Sequence, residues 1–269
     1  MTTIRKPFHR FGHAFLCATI LTASAGTVLA EDHTVEKPEG RVTQLTAHMG
    51  EMTVDLPDTI ADQLPTRLDF DGVRRRDTLR FEPYQMLDEL FRSDIVLLMR
   101  HGPTDWSKRD IKDVAPTDCD NQRILTPEGE ARMGDLGILM AGNEIRPSRI
   151  VTSEWCRNQA TKDALLRGMS VVDPDYIEDI DLVTDPALNL LLSLQGAPDV
   201  EALDEMVSNW DGGDGTGPLL IISHYTNIEE LTNFAVFEGE MLMIDPKREN
   251  RVLGYLRLRS ANPDVGHFP

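Results

Sequence analysis

Basic residues are scarce in this chain. Its 269 residues include 27 Lys and Arg against 45 Asp and Glu, which gives a formal net charge of −18 at pH 7. A field of this sign repels nucleic acids and anionic membrane surfaces, so neither is an expected partner. If the chain acts on an anion, the binding site must therefore create its own local positive potential.

A long apolar run is lacking as well. The stretch from Phe15 to Leu29 is interrupted by Thr, Ser and Gly, whereas a membrane span needs about 20 apolar residues. The stretch follows a basic start and ends at Ala30, a small residue of the kind that signal peptidase accepts. We therefore predict that residues 1–30 are a signal peptide cleaved near Ala30, and that the mature protein is periplasmic or secreted. A membrane-anchored helix is the alternative.

Cysteines are few, and their spacing resembles no metal site. Of the three in the chain, Cys17 lies in the predicted signal peptide, which leaves Cys119 and Cys156. In an oxidising compartment this pair favours a disulfide, although two separate buried thiols are the alternative. The bond would stabilise the fold by about 4 kcal/mol on the chain-entropy view. We predict no metal and no cofactor.

Short apolar runs alternate with segments of helical periodicity along most of the chain. Ile95–Met99, Arg149–Thr152 and Leu219–Ile222 are predicted strands, each followed by a helical segment. This alternation predicts an α/β fold, a three-layer sandwich with a largely parallel central sheet. Two further runs, Met241–Ile244 and Val252–Leu256, are predicted to form a hairpin at the edge of the sheet.

The chain is predicted to contain one folded domain. Residues 31–80 mix charges, Thr and Pro, and form an N-terminal extension of unknown role with two short possible strands, 42–45 and 52–54. Residues 81–269 make up the domain. Apolar residues at helical spacing predict helices between 84 and 91, over 157–166 and 200–210, and from 227 onward. Thr126-Pro127 predicts the start of a further helix.

Positive side chains follow all three central strands. Arg100, His101 and Gly102 come directly after the first strand, Arg157 follows the second, and His224 follows the third. In open α/β sheets, ligands bind beyond the carboxyl ends of the strands. Arginine forks match tetrahedral oxyanions, and a neutral imidazole next to a glycine can approach phosphorus as a nucleophile. The pattern therefore predicts an anion site, with phosphate as the anion.

These strand-end residues resemble a known family. The Arg100-His101-Gly102 triplet with Thr104, the later Arg157 and the Ser223-His224 pair are similar to the histidine phosphatase superfamily, which has the phosphoglycerate-mutase-like fold. The resemblance spans roughly residues 93–258. Other motifs resemble the exported bacterial members: Asp118-Cys119, Gln122-Arg123, Trp155-Cys156-Arg157, Asn227-Ile228 and Gly239-Glu240.

The resemblance implies a two-step phosphoryl transfer that needs no metal or other cofactor. His101 would attack phosphorus and become a phosphohistidine, which water would then hydrolyse. Arg100, Arg157 and His224 would hold the phosphoryl oxygens through both steps. The implied partner is a small phosphorylated substrate or a phosphorylated component of the cell envelope.

Three other side chains are candidates for binding the substrate, namely Thr104, Asp105 and Asn227. Asn227 has an alternative role, because an asparagine near the start of the helix after His224 could cap that helix. Each of the three lies close in sequence to one of the strand-end motifs.

The general acid varies in position within the family, and several carboxylates are candidates. Asp105, Glu154, Asp179 and Glu240 are all near the predicted strand ends or the loops between them. Family members often carry Ser-Pro before the aromatic-Cys-Arg motif, whereas here Ser153 is followed by Glu154. An ordinary solvated carboxylate is the alternative for each candidate.

Two functions are consistent with this pattern. The first is an exported phosphomonoesterase that works through a phosphohistidine. The second is a non-catalytic envelope protein that uses the same anion pocket to bind phosphorylated glycan or lipid headgroups. Phosphatase activity on a generic aryl phosphate would separate them.

Overall fold

The computed structural model describes residues 42–46, 51–54, 77–81, 87–213 and 215–261. The predicted signal peptide with Cys17 and Ala30 lies outside the described residues, as does the start of the helix predicted between 84 and 91. Within the described ranges, no helix has the length and apolar character needed to cross a bilayer.

A single mixed sheet of nine strands forms the middle of the described structure. In chain order the strands are β1 (Val42–Thr46), β2 (Glu51–Val54), β3 (Leu79–Phe81), β4 (Val96–Arg100), β5 (Arg149–Thr152), β6 (Asp181–Thr184), β7 (Leu219–Ser223), β8 (Met241–Asp245) and β9 (Arg251–Leu258). Their order across the sheet is β1-β2-β3-β9-β8-β4-β7-β5-β6. The run β4-β7-β5-β6 is parallel, and the other neighbours are antiparallel. The α/β fold with parallel strands at its core is confirmed.

The hairpin of β8 and β9 forms as predicted, but its place in the sheet differs. β8 pairs with β4, and β9 pairs with β3, which continues into β2 and β1. The prediction of an edge hairpin is therefore wrong, because three short strands from the N-terminal part of the chain extend the sheet beyond β9. The predicted strands near 42–45 and 52–54 are among them, and the side chain of Met52 is fully buried.

Among the described residues, four α-helices connect the strands: α1 (Pro127–Gly142), α2 (Cys156–Val172), α3 (Glu201–Ser208) and α4 (Tyr225–Thr232). The predicted start of α1 is confirmed, since Thr126 Oγ1 accepts a hydrogen bond from Gly129 N at 2.8 Å and Pro127 is the first helical residue. α4 begins two residues earlier than predicted, with His224 at its N-cap position.

The sheet separates two hydrophobic cores, which gives the three-layer arrangement. α1 and α2 pack on one face, and α3 and α4 pack on the other. Successive residues of a strand point to opposite faces, so each buried strand contributes to both cores. From β4 and β7, one core receives Leu97, Met99, Leu220 and Ile222, and the other receives Val96, Leu98, Leu219 and Ile221.

The backbones of α1 and α2 are in direct contact through glycines. A Cβ atom on Gly137 would lie 2.2 Å from the carbonyl oxygen of Leu165, and a Cβ atom on Gly168 would lie 2.0 Å from that of Gly134. Neither position has room for a side chain. Because Arg157 lies in the first turn of α2, this packing also sets where that arginine is held.

Candidate active site

The structure brings the four strand-end side chains together at one edge of the sheet. Arg100 ends β4 beside Ser223 of the parallel neighbour β7, so His101 and His224 follow adjacent strands. Arg157 approaches from the start of α2, after β5. All four are buried, with 1% of Arg100, 2% of His101, 2% of Arg157 and 1% of His224 exposed. The ring centroids of His101 and His224 are 5.7 Å apart.

These four side chains form the floor of a cavity of about 600 Å³. We call Arg100, His101, Arg157 and His224 the floor. Three further cations line the same cavity, Lys108, Arg109 and Arg123, and we call them the rim. The volume is within the range of about 300 to 1,000 Å³ that is common for small-molecule sites. The cavity is therefore large enough for more than a phosphoryl group.

A backbone hydrogen bond fixes the tautomer of His101. Its Nδ1 lies 3.0 Å from the carbonyl oxygen of Gly102. A carbonyl oxygen can only accept, so Nδ1 carries the proton and Nε2 carries the lone pair. The imidazole is thus held with Nε2 as its basic, nucleophilic atom.

Gly102 has a packing role in addition. A Cβ atom at this position would lie 2.5 Å from Cγ of Met133, a residue of α1. Its backbone N–H donates to Thr161 Oγ1 of α2 at 2.8 Å. From the sequence, the role expected for Gly102 is to leave room for phosphorus to approach His101. In the structure, the atom that leaves no room for a side chain at Gly102 belongs to Met133 of the core.

Burial lowers the pKa of both floor histidines well below the usual value, because the charged imidazolium loses its hydration. The neighbouring guanidinium groups of Arg157 and then Arg100 lower both pKa values further. Both rings are therefore neutral at neutral pH. A neutral His101 is the form that can attack phosphorus.

A chain of hydrogen bonds holds His224. Its Nε2 lies 3.1 Å from Ser153 Oγ, which donates to Asn189 Oδ1 at 2.8 Å. The orientation of the Asn189 amide is set by Glu154, whose Oε2 accepts from Asn189 Nδ2 at 2.9 Å. Since the Ser153 proton goes to Asn189, the Ser153 oxygen accepts from His224 Nε2–H. Glu154, a candidate general acid, serves here to orient Asn189.

Arg157 is held by a carboxylate that the sequence analysis did not select. Asp110 accepts from Arg157 Nη1 with both oxygens, at 3.2 Å and 3.1 Å, and Asp110 Oδ1 also accepts from Arg123 N at 2.7 Å. Burial lowers the pKa of Arg157 to about 10, so the guanidinium stays charged at neutral pH. Asp110 is the one carboxylate among the described residues that line the cavity.

Glu238 supports Arg100 and was also missed. Its Oε1 lies 3.6 Å from Arg100 Nη2 and accepts from Thr104 Oγ1 at 2.5 Å, while Trp106 Nε1 donates to Oε2 at 3.2 Å. Arg100 Nη1 donates to the carbonyl oxygen of Val236 at 2.9 Å. Thr104, a candidate substrate ligand, therefore positions Glu238. The neighbouring Gly239-Glu240 motif was the available signal for this region.

The other two candidate substrate ligands have local roles. Asp105 Oδ1 accepts from Ser107 N at 3.0 Å and from Ser107 Oγ at 2.6 Å, and these bonds lower the pKa of Asp105. Asn227 Nδ2 donates to the carbonyl oxygen of Asn189 at 2.9 Å. Asn227 therefore braces the loop after β6, and the N-cap position of α4 belongs to His224.

Two candidate general acids lie away from the cavity. Glu240 is buried and accepts from Phe237 N at 2.8 Å, and burial raises its pKa. It supports Arg100 through its carbonyl oxygen, which accepts from Arg100 N at 3.0 Å. Asp179 is exposed at the end of the 3-10 helix Tyr176–Asp179, just before β6. That is the amino end of the parallel strands, the edge opposite the floor.

Cys119 and Cys156 form a disulfide, as predicted. Cys156 is the first residue of α2 and precedes Arg157, while Cys119 belongs to the long loop after β4. Gln122 makes a second connection, with Oε1 accepting from Cys156 N at 3.3 Å and Nε2 donating to the carbonyl oxygen of Ala115 at 2.8 Å. The loop that carries Asp110 and the rim is thus fastened to the start of α2.

Comparison with known proteins finds similarity at the level of structure. No family model and no curated protein matches the sequence. A phosphoserine phosphatase from Entamoeba histolytica is 12% identical with a TM-score of 0.40, covering 64% of this chain and 98% of its own. A mycobacterial glucosyl-3-phosphoglycerate phosphatase is 14% identical with a TM-score of 0.38, over 64% and 99%. A phosphoglycerate mutase from Plasmodium falciparum is 19% identical with a TM-score of 0.36, over 65% and 93%.

At these identities and TM-scores the matches carry no argument about this chain, and its chemistry must be argued from its own side chains. Among the residues with described positions, no group of three or more His, Cys, Asp or Glu side chains could hold a metal ion.

Proposed function

We propose that the protein is a phosphomonoesterase in which His101 is the nucleophile. One observation carries this proposal, the neutral His101 whose Nδ1 is bonded to a carbonyl oxygen in a floor that also holds Arg100 and Arg157. A buried imidazole flanked by two guanidinium groups is poorly suited to hold a cation. It suits a group that attacks an anion and is neutral before the attack.

In the first step, His101 Nε2 forms a bond to phosphorus while the bond from phosphorus to the ester oxygen breaks. Arg100 and Arg157 hold the phosphoryl oxygens, and their charges stabilise the negative charge of the transition state. His224, whose Nε2–H is donated to Ser153 Oγ, joins them as a donor only when its Nδ1 takes up a proton. The product of this step is a phosphohistidine and an alcohol.

The departing oxygen needs a proton, and Asp110 is the group that we assign to supply it. Its carboxylate lines the cavity and is bonded to Arg157. The phosphomonoester brings one proton when it binds as its monoanion. Once the phosphoryl group has replaced Asp110 at Arg157, the Asp110 carboxylate takes up that proton and donates it to the leaving oxygen.

In the second step, water attacks the phosphorus of the phosphohistidine and passes one proton to the Asp110 carboxylate. The bond between phosphorus and Nε2 breaks, and phosphate leaves with the electron pair returned to His101. Asp110 passes that proton to the departing phosphate, which returns the enzyme to its starting protonation state.

Export belongs to the same proposal. Its support is the basic and apolar segment that ends at Ala30, together with a disulfide beside Arg157. A phosphorylated envelope component is then an accessible substrate. Mass spectrometry of protein recovered from its native compartment should find a mature chain that begins close to residue 31.

The nucleophile is tested by hydrolysis of phenyl phosphate and by trapping radiolabelled phosphate on the protein. We expect a phosphoramidate label on His101, labile in acid and stable in base, and a loss of about 10³-fold or more in kcat for His101→Ala. Arg167→Ala, at an exposed position of α2, is the control and should keep full activity. Binding of phosphate without turnover would instead support the non-catalytic alternative. Label on another residue would refute His101 as the nucleophile.

A further inference from the structure

The three rim cations are not used by the chemistry proposed above. The side chain of Lys108 is 61% exposed and lies 3.9 Å from Asp105. Arg109 is exposed and forms no ion pair within the part of the chain that the structure describes. Arg123 is half-buried, with its Cζ atom 3.6 Å from the centroid of the Trp106 ring. All three line the same cavity as His101.

The rim is built into the structure. Arg123 stacks on Trp106, and its backbone N–H donates to Asp110 at 2.7 Å. The loop that carries the rim is joined to α2 by the disulfide from Cys119. A guanidinium stacked on an aromatic ring is preorganised, so less side-chain entropy is lost when it binds a ligand. Three cations in the lining of one cavity are also unexpected in a chain with a net charge of −18.

Another part of the cavity lining is apolar. Leu190 and Leu192, from the loop after β6, line it together with Tyr225. The loop after β6 continues into α3, which packs on one face of the sheet. The rim belongs to the loop after β4, which continues into α1 on the other face. The lining above the floor therefore combines cationic side chains from one loop with apolar side chains from another.

We propose that the substrate is a phosphomonoester whose leaving group carries a second anionic group, bound by Lys108, Arg109 and Arg123. This inference rests on the proposed function, because it assumes that the floor takes the phosphoryl group. A carboxylate and a second phosphoryl group are the two sources of that charge. The one opposing charge in the lining, Asp110, is bonded to Arg157 and to the backbone of Arg123.

The test is calorimetric titration with three ligands that cannot be hydrolysed. Propylphosphonate has one anionic group, phosphonopropionate replaces its terminal methyl with a carboxylate, and ethylene bisphosphonate adds a second phosphoryl group. Wild-type protein is compared with Arg109→Ala and with the Lys108→Ala/Arg109→Ala double variant. Arg167→Ala is the matched control, since it removes one exposed positive charge from α2, where Arg167 pairs with Glu130.

We expect wild-type protein to bind at least one of the ligands with two anionic groups about tenfold more tightly than propylphosphonate. Arg109→Ala should lower this preference about threefold, and the double variant should remove most of it, since each exposed pair contributes modestly. Arg167→Ala should leave the preference unchanged. Raising the salt concentration should weaken the preference, because exposed charges are screened within about 8 Å at physiological ionic strength. The tighter of the two ligands identifies the carboxylate or the phosphoryl group as the preferred second charge.

Equal affinity for all three ligands in wild-type protein would overturn the inference. So would a preference that persists in the double variant, or tighter binding of propylphosphonate than of either ligand with two anionic groups. Failure of the proposed function has a separate signature. In that case phenyl phosphate would not be hydrolysed, whether or not the three ligands bind wild-type protein.

Discussion

The floor and the rim of the cavity are both cationic, but they differ in burial. Arg100 and Arg157 are almost fully buried, whereas Lys108 and Arg109 are exposed. A buried guanidinium gives up hydration and must be compensated by fixed partners, which here are Glu238 for Arg100 and Asp110 for Arg157. An exposed cation keeps its water and is screened by salt.

The difference shows how one sign of charge can serve two purposes in a single cavity. In the proposed function the floor holds phosphorus in a fixed geometry, so its contribution depends on the shape of each group. In the proposed role of the rim, attraction acts over a short range, so its contribution depends mainly on charge. Substitutions that keep the charge but change the shape should therefore affect the floor much more than the rim.

Arg157 gives the largest contrast. Removing one preorganised donor to a developing anion typically lowers the rate about 10² to 10³-fold, and we expect this loss of kcat for Arg157→Ala. Arg157→Lys should still lose at least about tenfold, because a lysine supplies a point charge without the planar pair of donors. Steady-state hydrolysis of phenyl phosphate measures both values.

The matched variant on the rim is Arg109→Lys, which keeps the charge at an exposed position. It should retain the preference for the ligands with two anionic groups. If Arg157→Lys had the kcat of wild-type protein, the floor would act through charge alone and the contrast with the rim would disappear.

Asp110→Asn tests the link between floor and rim. Loss of a general acid should slow hydrolysis of an alkyl phosphate about 10²-fold, because an alkoxide leaves poorly without a proton. Nitrophenyl phosphate has a good leaving group and should be slowed much less. With the alkyl substrate, the fall in kcat at high pH that is caused by deprotonation of the general acid should also disappear in Asp110→Asn.

A purely structural role for Asp110, through its bonds to Arg157 and Arg123, predicts a different result. In that case both substrates would be slowed by the same factor, and the pH profile would keep its shape. Circular dichroism and the unfolding midpoint of Asp110→Asn control for loss of folding.

The smallest effect concerns stability and pH. The pKa of His224 is lowered in the folded protein, mainly by burial, so the unfolded state binds more protons below the usual value of about 6.5. The contribution of His224 to the unfolding free energy is therefore fully present above about pH 6.5. Below that pH the unfolding free energy falls by up to about 1.4 kcal/mol per pH unit for one such group.

His224→Gln removes this titrating group and should make the unfolding free energy less dependent on pH below about 6.5. Urea unfolding of the variant and of wild-type protein at about pH 7.5 and about pH 5.5 measures the difference. Identical pH dependence in the two proteins would mean that folding does not change the pKa of His224. No rim residue should produce such an effect.

Much of the fold followed from local sequence signals. The apolar runs of β4, β5 and β7 and the Thr126-Pro127 start of α1 are short-range patterns, and the structure has each of them within one or two residues. The place of the β8–β9 hairpin could not be predicted in this way. It depends on strands 42–46, 51–54 and 79–81, and the last of these pairs with β9 across more than 150 residues of sequence.

The site divides in the same way. Arg100, His101, Arg157 and His224 were predicted because strand ends gather at one edge of a parallel sheet. Asp110 and Glu238 were missed because each reaches the site from a loop, and their partners Arg157 and Arg100 are distant in sequence. The general-acid candidates were selected by closeness in sequence to the motifs, which does not determine where a side chain points.

The glycine contact between α1 and α2 has a consequence for which substitutions the chain can tolerate. Gly168 is about three turns of α2 away from Arg157, or about 16 Å along the helix axis. A methyl group at Gly137 or Gly168 would force the two helix backbones apart, and overpacking of this kind costs about 1 to 3 kcal/mol. Because α2 is stiff, part of that displacement would reach the guanidinium group at its other end. Selection for phosphate binding would therefore also act on glycines that never contact the substrate.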